Sequence, residues 1–301
     1  MPELITILGP TAVGKTRLAA LLADSIGGEI ISADSRQVYR GMDLGTGKDL
    51  DDYIVDGKII PFHLINIADP GEEYNVFRFQ RDFIAVFHDI KARGKRAVMC
   101  GGTGMYLDSV IRAYAMKTAP RDEGLRKELE GLPDEALIQR LADARHLHNV
   151  TDTLDRERMI RALEICDRRY AIGDIRDELQ ALEHRVFGIL LERHEIRRRI
   201  TERLKQRLED GMIEEVKSLL GSGVDAARLE FYGLEYKYVT QYVTGIISYN
   251  DMFQRLNSAI HQFAKRQMTW FRRMEKNGVR IRWIDGSLSL QQRLELILTS
   301  V

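Results

Sequence analysis

Cysteine, proline and long apolar runs are scarce in this chain, and neither sign of charge is in excess. Its 301 residues include two cysteines, Cys100 and Cys166, too few for a disulfide framework or a four-cysteine zinc site. No apolar run reaches the length of a membrane span, and the start lacks the cationic segment of a signal peptide. We therefore expect a cytoplasmic protein without membrane contact. Lys plus Arg total 45, as do Asp plus Glu, so any nucleic-acid site must be a local patch.

Short apolar strands alternate with helical patterns along most of the chain. Strands are predicted at 4–8, 29–33, 62–67, 96–100 and 186–191, and helices at 17–26, 76–93, 105–113, 196–211 and 251–277. This order predicts an α/β fold with a mostly parallel sheet flanked by helices. Between 117 and 183 the strand signal stops and charged helical sequence takes over. We interpret 117–183 as a helical insertion domain in a core formed by 1–116 and 184–301.

The first strand runs into a glycine-rich loop, 9–16, that matches the pattern G-x-x-x-x-G-K-[ST]. In such a P-loop, backbone N–H groups surround a phosphate at a helix N-terminus. Lys15 supplies a positive charge, and the Thr16 hydroxyl is placed to bind Mg²⁺, the one cofactor we expect. The core is thus predicted to be P-loop NTPase-like. The predicted diphosphate-binding residues of this loop are Gly9, Thr11, Ala12, Val13, Gly14, Lys15 and Thr16.

Two further segments end strands of the predicted sheet and are candidates for the same site. Asp34 follows the second strand and could hold Mg²⁺, act as a general base, or cap a local turn. Gly102, Thr103 and Gly104 follow the strand at 96–100 and predict a second backbone approach to the ligand. Close packing of a helix on that strand is the alternative explanation of these glycines.

Two groups of basic residues on the C-terminal helices are further candidates for ligand contacts. Arg203 borders an apolar helix stripe, from which it could reach a diphosphate, although a solvated helix face would explain it equally. Residues 261–282 contain seven Lys or Arg, with Trp270 and Phe271 interleaved, which suggests RNA binding. An amphipathic helix that buries its aromatic residues, including Phe263, is the alternative.

Seven segments, in order along nearly the whole chain, resemble motifs of the tRNA dimethylallyltransferase (tRNA isopentenyltransferase) family. A P-loop alone would be generic, but the ordered set is specific. The segments are GPTAVGKT (9–16), DSRQVYRGMDLGTGK (34–48), HLINIADPGEEYNVFRFQRD (63–82), GGTGMY (101–106), RMIRALEI (158–165), RITERLKQRLEDGMIEEV (199–216) and KRQMTWFRR (265–273).

The resemblance implies a monomeric enzyme that moves a dimethylallyl group from its diphosphate to the exocyclic N6 amine of an adenosine. That adenosine lies 3′-adjacent to the anticodon in tRNAs that read codons beginning with U, and diphosphate is released. Asp34 matches the family's general base, and Lys15, Thr16 with Mg²⁺, and Arg203 match the groups that stabilise the leaving diphosphate. The insertion would grip the anticodon stem-loop. The implied tRNA contacts are Asp34, Ser35, Arg36, Gln37, Thr103, Arg126, Arg158, Arg161, Gly233, Lys265, Arg266, Gln267 and Arg272.

Three other functions compete with this interpretation. An adenylate isopentenyltransferase would act on free AMP, ADP or ATP, but the insertion and the basic helix favour a polymer. A P-loop kinase of a small metabolite, or a catalytically idle RNA-binding protein, is also compatible with parts of the pattern. The sequence departs from the family's motifs at Val13, Asp49, 149–155 and Glu235. We expect these departures to affect RNA recognition and not the phosphate or base chemistry.

Overall fold

A computed structural model describes residues 2–114, 122–144, 156–166 and 176–301. The chain forms two compact units, the first made of Met1–Ala113 with Leu179–Val301 and the second of Tyr114–Glu178. The second unit overlaps most of the part of the chain where the strand signal stops, but its bounds lie three to five residues earlier than 117–183.

Six parallel strands form the sheet of the first unit, in the order β5-β2-β6-β1-β7-β8, and β3 and β4 form a separate antiparallel hairpin. The α/β class with a mostly parallel sheet is thus confirmed. The strands are β1 (Leu4–Leu8), β2 (Gly28–Ala33), β3 (Ile54–Val55), β4 (Lys58–Ile59), β5 (Phe62–His63), β6 (Arg96–Gly101), β7 (His184–Leu190) and β8 (Ile281–Asp285).

Helices cover the sheet and make up the described part of the second unit. Asn75 caps α2 by accepting a bond from the Arg78 N–H at 3.1 Å, as its sequence position suggests. The helices are α1 (Lys15–Ile26), α2 (Val76–Ala92), α3 (Gly104–Ile111), α4 (Glu123–Glu130), α5 (Asp134–Ala144), α6 (Arg156–Cys166), α7 (Arg176–Ala181), α8 (Arg193–Glu209), α9 (Met212–Gly221), α10 (Ala226–Phe231), α11 (Leu234–Val243), α12 (Tyr249–Lys276) and α13 (Leu290–Leu298). None of the helices in the described ranges has both the length and the apolarity that a bilayer span requires.

The secondary structure differs from the sequence prediction at one strand end and in elements that were not predicted, among them the β3–β4 hairpin and helices α9, α10 and α11. The strand predicted at 62–67 ends at His63, because Leu64 and Asn66 have φ values of +62° and +56° that interrupt an extended chain. Strand β8 and helix α13 were not predicted. Strand β8 pairs with β7 on one side only, and its alternating exposure gives no continuous apolar run.

The sheet register brings three loops to one edge. Central strand β1 is buried throughout, and its last residue, Leu8, pairs with Gly101 at the end of β6. Gly101 pairs in turn with Ala33 at the end of β2. Because all three strands are parallel and end in register, the loops that follow them open at the same carboxyl edge, where α/β sheets bind ligands.

The described part of the second unit is a small helical cluster. Helices α4, α5 and α6 pack around their own apolar core, with α6 contacting both of the others. That core consists of Leu129, Leu137, Leu141, Met159, Ile160 and Leu163.

Candidate active site

The P-loop has the backbone geometry that its glycines predict. Gly14, which precedes α1, has φ +76°, and Gly9 has φ +154°. A Cβ on Gly9 would lie 2.8 Å from the Ile189 carbonyl oxygen, so only glycine fits there. Ala12 also adopts a positive φ of +65°, which is uncommon for a residue with a side chain. The loop is therefore a tight turn that opens onto the N-terminus of α1.

Lys15 lies inside this loop and donates from Nζ to the Pro10 carbonyl at 2.6 Å. Burial lowers the pKa of Lys15 to about 8; the field of Arg203 adds to this effect, whereas Cys100 and Asp34 oppose it. A phosphate bound in the loop would favour the charged ammonium and raise this pKa again. The affinity of the loop for a phosphate is thus coupled to the protonation of Lys15.

Asp34 follows β2 at the same edge of the sheet and is half-buried. Its Oδ1 accepts a bond from the Arg36 N–H at 2.9 Å, so Asp34 does cap a turn. The next residue, Ser35, donates its backbone N–H to Thr103 Oγ1 at 3.0 Å. Thr103 N–H in turn donates to the Ala33 carbonyl at 3.2 Å. The Asp34 turn and the second glycine loop are therefore joined, and capping and a catalytic role are compatible.

The second glycine loop is joined to the P-loop by Gln267 of α12, which is 7% exposed. Its Oε1 accepts from the Thr11 N–H and its Nε2 donates to the Gly102 carbonyl, both at 2.9 Å. A Cβ at Gly102 would lie 2.5 Å from Gln267 Nε2 and would displace that side chain, and a Cβ at Gly104 would lie 2.4 Å from Trp270. Gln267, predicted from the resemblance to contact tRNA, thus bridges two ligand loops.

Arg203 of α8 reaches the P-loop, where its Nη1 lies 3.4 Å from Thr11 Oγ1. Its Nη2 forms an ion pair with Asp49, which also accepts from Arg207 Nη2 at 3.1 Å. Burial alone would raise the pKa of Asp49, but the two arginines outweigh burial and hold that pKa below its usual value. Arg203 therefore carries an internal counter-ion beside the phosphate loop.

Two departures from the family's motifs lie in this arrangement. Glu235 lines the same small cavity as Thr11 and Arg203, and burial raises the pKa of its carboxyl group. Asp49 binds Arg203 directly. We expected these departures to affect RNA recognition alone, whereas the fold brings both acids close to Arg203, which reaches the P-loop.

Two residues not singled out from the sequence hold the segment that follows Asp34. The Glu215 carboxylate accepts bonds from three consecutive backbone N–H groups, those of residues 43–45, at 2.8–3.0 Å. Lys48 has a fully buried side chain that donates to Asp43 Oδ1 at 2.8 Å and to Asn66 Oδ1 at 2.5 Å. Lys48 closes the second resembling segment, which was a signal for its importance. Glu215 likewise lies in a resembling segment, 199–216, but its partners are about 170 residues away and could not be inferred from that segment.

Helix α12 separates the basic and aromatic parts of the suspected RNA-binding pattern. Lys265, Arg266 and Arg272 are exposed. Phe271 is completely buried, and Trp270 packs over Gly104. Phe263, expected in the core, is 39% exposed, so that expectation was wrong. The basic residues therefore form the accessible surface, while Trp270 and Phe271 are packing residues.

The remaining predicted tRNA contacts are dispersed. Gln37 donates to the Gly47 carbonyl at 3.0 Å, and Gly233 precedes α11 with φ +148°. In the helical unit Arg161 pairs with Glu164 at 2.9 Å, and the side chain of Arg158 lies outside the described residues. So does the departing segment 149–155. Arg126 is 8% exposed and forms ion pairs with Glu130, Glu157 and Glu164. It thereby links α4 to α6.

These features define a P-loop protein that can hold a phosphorylated ligand beside a carboxylate and a second ligand loop. Residues 37–274 match the family described as "IPP transferase", and residues 2–59 match the one described as "Isopentenyl transferase". The chain is 57% identical to a tRNA dimethylallyltransferase of Pelobacter propionicus over 94% of this chain and 90% of that protein. It is 51% identical to a tRNA dimethylallyltransferase of Bacteroides fragilis over 98% of this chain and 96% of that protein.

Solved structures agree with the sequence relatives. The tRNA isopentenylpyrophosphate transferase of Bacillus halodurans superposes with a TM-score of 0.70 at 32% identity, over 100% of this chain and 95% of that one. A eukaryotic dimethylallyltransferase acting on tRNA gives a TM-score of 0.76 at 25% identity, over 95% of this chain and 74% of that one. The chain belongs to the tRNA dimethylallyltransferase family of IPP transferases, as the seven segments had indicated.

Proposed function

We propose that this protein transfers a dimethylallyl group from dimethylallyl diphosphate to the N6 amine of the adenosine 3′-adjacent to the anticodon, in tRNAs that read codons beginning with U. Diphosphate is the second product. Both curated relatives described above are named for a tRNA acceptor. This favours a tRNA substrate over a free adenine nucleotide.

One observation carries the proposal: three loops from adjacent strands meet at one sheet edge and are bonded to each other. The P-loop after β1, the Thr103 loop after β6 and the Asp34 turn after β2 follow the strand order β2-β6-β1. Gln267 joins the first pair of loops, and Thr103 joins the second pair. A diphosphate in the P-loop would therefore lie at the same sheet edge as Asp34.

The chemistry needs a proton acceptor on one side and positive charge on the other. As the adenine nitrogen bonds to C1 of the allyl group, the C1–O bond breaks and the diphosphate leaves with the electron pair. The amine loses a proton, which we assign to the Asp34 carboxylate as general base. Negative charge develops on the diphosphate, where the positive charges of Lys15 and Arg203 at the P-loop would stabilise it.

The residues present fit a Mg²⁺ ion that arrives with the diphosphate. In the parts of the chain that the structure describes, no cluster of three His, Cys, Asp or Glu side chains could hold a metal alone. Thr16, the second residue of α1, offers a hydroxyl oxygen, a hard ligand at the phosphate site. Mg²⁺ is typically bound through few protein ligands together with substrate phosphates and water. When bound there, Mg²⁺ would neutralise charge on the leaving diphosphate.

A transfer assay tests the proposal directly. Purified protein is incubated with Mg²⁺, labelled dimethylallyl diphosphate and either unmodified tRNA or AMP. Transfer to tRNA with little transfer to AMP is expected. Transfer to AMP alone would retain the chemistry but refute the tRNA substrate. ATP turnover without any prenyl transfer would refute the proposal.

A further inference from the structure

Phe231 is a large apolar side chain left on the surface close to the candidate site. It ends α10 and is 67% exposed. Its neighbour in the chain, Tyr232, is 1% exposed and packs edge-on against Tyr39 with ring centroids 4.6 Å apart. The backbone beneath the exposed ring is thus anchored by a buried aromatic pair. One exposed apolar side chain is ordinary by itself, and the significance of this ring lies in its neighbours.

One residue connects this ring to the candidate general base. The Arg36 backbone N–H donates to Asp34 Oδ1 at 2.9 Å, and the Arg36 guanidinium lies over the Phe231 ring, 5.6 Å from its centroid. Arg36 thereby joins the Asp34 turn to the aromatic surface. The cation supports one face of the ring, and the other face stays open to solvent.

The spacing determines where a planar ligand could lie. A ring inserted between the guanidinium and Phe231 would need two contacts of 3.5–4.0 Å, roughly 7 Å in total. The 5.6 Å separation is too short for that. A planar group must therefore stack on the outer face of Phe231. The Phe231 side chain also lines a groove of about 660 Å³ together with Pro70, Gly71 and Val224.

We propose that the outer face of Phe231, backed by Arg36, is a stacking platform for an unpaired RNA base that flanks the acceptor adenosine. The inference rests on the tRNA substrate proposed above. An adenosine that leaves the loop stack to reach Asp34 breaks its contacts with the flanking bases. An aromatic face that accepts one of those bases replaces part of the lost stacking energy. The positive charge of Arg36 suits the nearby phosphodiester backbone.

The test is a coupling experiment between the ring and the RNA. Phe231→Leu is compared with the wild type on three anticodon stem-loop RNAs: one intact, and two with an abasic site immediately 5′ or 3′ of the acceptor adenosine. On the intact RNA, kcat/KM is expected to fall by about 5- to 150-fold, the value of one base–aromatic stack. On the abasic RNA that lacks the stacked base, Phe231→Leu should lower kcat/KM only slightly.

Controls separate a stacking platform from a structural role. Phe231→Trp keeps an aromatic face and should restore activity on intact RNA. Ile246→Ala removes an apolar residue of similar exposure, 68%, and should behave like the wild type. Diphosphate affinity should be unchanged in Phe231→Leu. Equal losses on all three RNAs, no loss at all, or failure of Phe231→Trp to restore activity would each overturn the platform.

The stacking platform can be tested even if the proposed transfer reaction is not observed. If the wild type transfers no prenyl group to any RNA, the affinities of the same three RNAs are measured by filter binding. Coupling between Phe231→Leu and one abasic site would then support the platform although the proposed function had failed. Additive losses in affinity would overturn the platform.

Discussion

Gln267 offers a sharp test of how the site is assembled, because sequence resemblance and structure assign it different roles. We consider Gln267→Leu, which keeps the side-chain volume but removes both polar atoms. The Thr11 N–H and the Gly102 carbonyl would each lose a partner. A buried backbone group without a partner costs about 1–3 kcal/mol. Gly102 is buried and bears the full cost, whereas water can partly replace the bond to half-buried Thr11.

We therefore expect the free energy of unfolding to fall by about 2–4 kcal/mol. Denaturant titration would measure this as a lower midpoint with an unchanged m-value. Dimethylallyl diphosphate should bind more weakly by calorimetry, because the P-loop is no longer held. Gln262→Leu, on the exposed face of the same helix, is the matched control and should change neither quantity. If Gln267→Leu kept the stability and the diphosphate affinity of the wild type and lost only tRNA affinity, the bridging role would be refuted.

Three further changes test other parts of the site. Asp34→Ala should lower turnover about 10²–10⁴-fold in the transfer assay with a much smaller loss of tRNA affinity, and an equal loss of both would contradict a general base. Because the pKa of Lys15 is lowered to about 8, diphosphate binding should take up a proton and weaken above pH 8. Calorimetry in buffers of different ionisation enthalpy would detect this uptake, and Lys15→Arg, charged throughout, should abolish it. Gly101→Ala would place a Cβ 2.2 Å from the Ala33 carbonyl and should cost about 1–3 kcal/mol of stability. Gly221→Ala, with nothing within 4 Å, is its control and should be neutral or stabilising in thermal melts.

Local sequence patterns were sufficient to predict the loops of the site but not the hydrogen bonds that join these loops. The P-loop, Asp34 and the second glycine loop each follow a short apolar strand, and parallel strands deliver such loops to one edge. These parts were predicted because their signals lie within a few consecutive residues. The bond from Gln267 to Thr11 spans 256 positions, and the contact from Arg203 to Thr11 spans 192. No periodicity or spacing encodes such distances.

The aromatic residues illustrate the same limit on helix α12. Trp270 and Phe271 occur in a basic run, and composition alone cannot tell a stacking surface from a packed core. The structure resolves this by position: Phe271 is fully buried, whereas Phe231, outside every basic run, is two-thirds exposed. Exposure is a tertiary property, so the aromatic surface suited to RNA could not be identified from the local composition.

Asp49 shows why a departure from a motif has to be judged in three dimensions. Arg203 and Arg207 lie four residues apart on α8 and both point to this carboxylate, which neutralises part of their mutual repulsion. A diphosphate is also an anion, so it can take over the same role when it binds. The acid is then a counter-ion for the unliganded site, and its presence is compatible with the leaving-group role proposed for Arg203. A sequence comparison records only that the residue has changed, whereas the arginine contacts reveal what the change does.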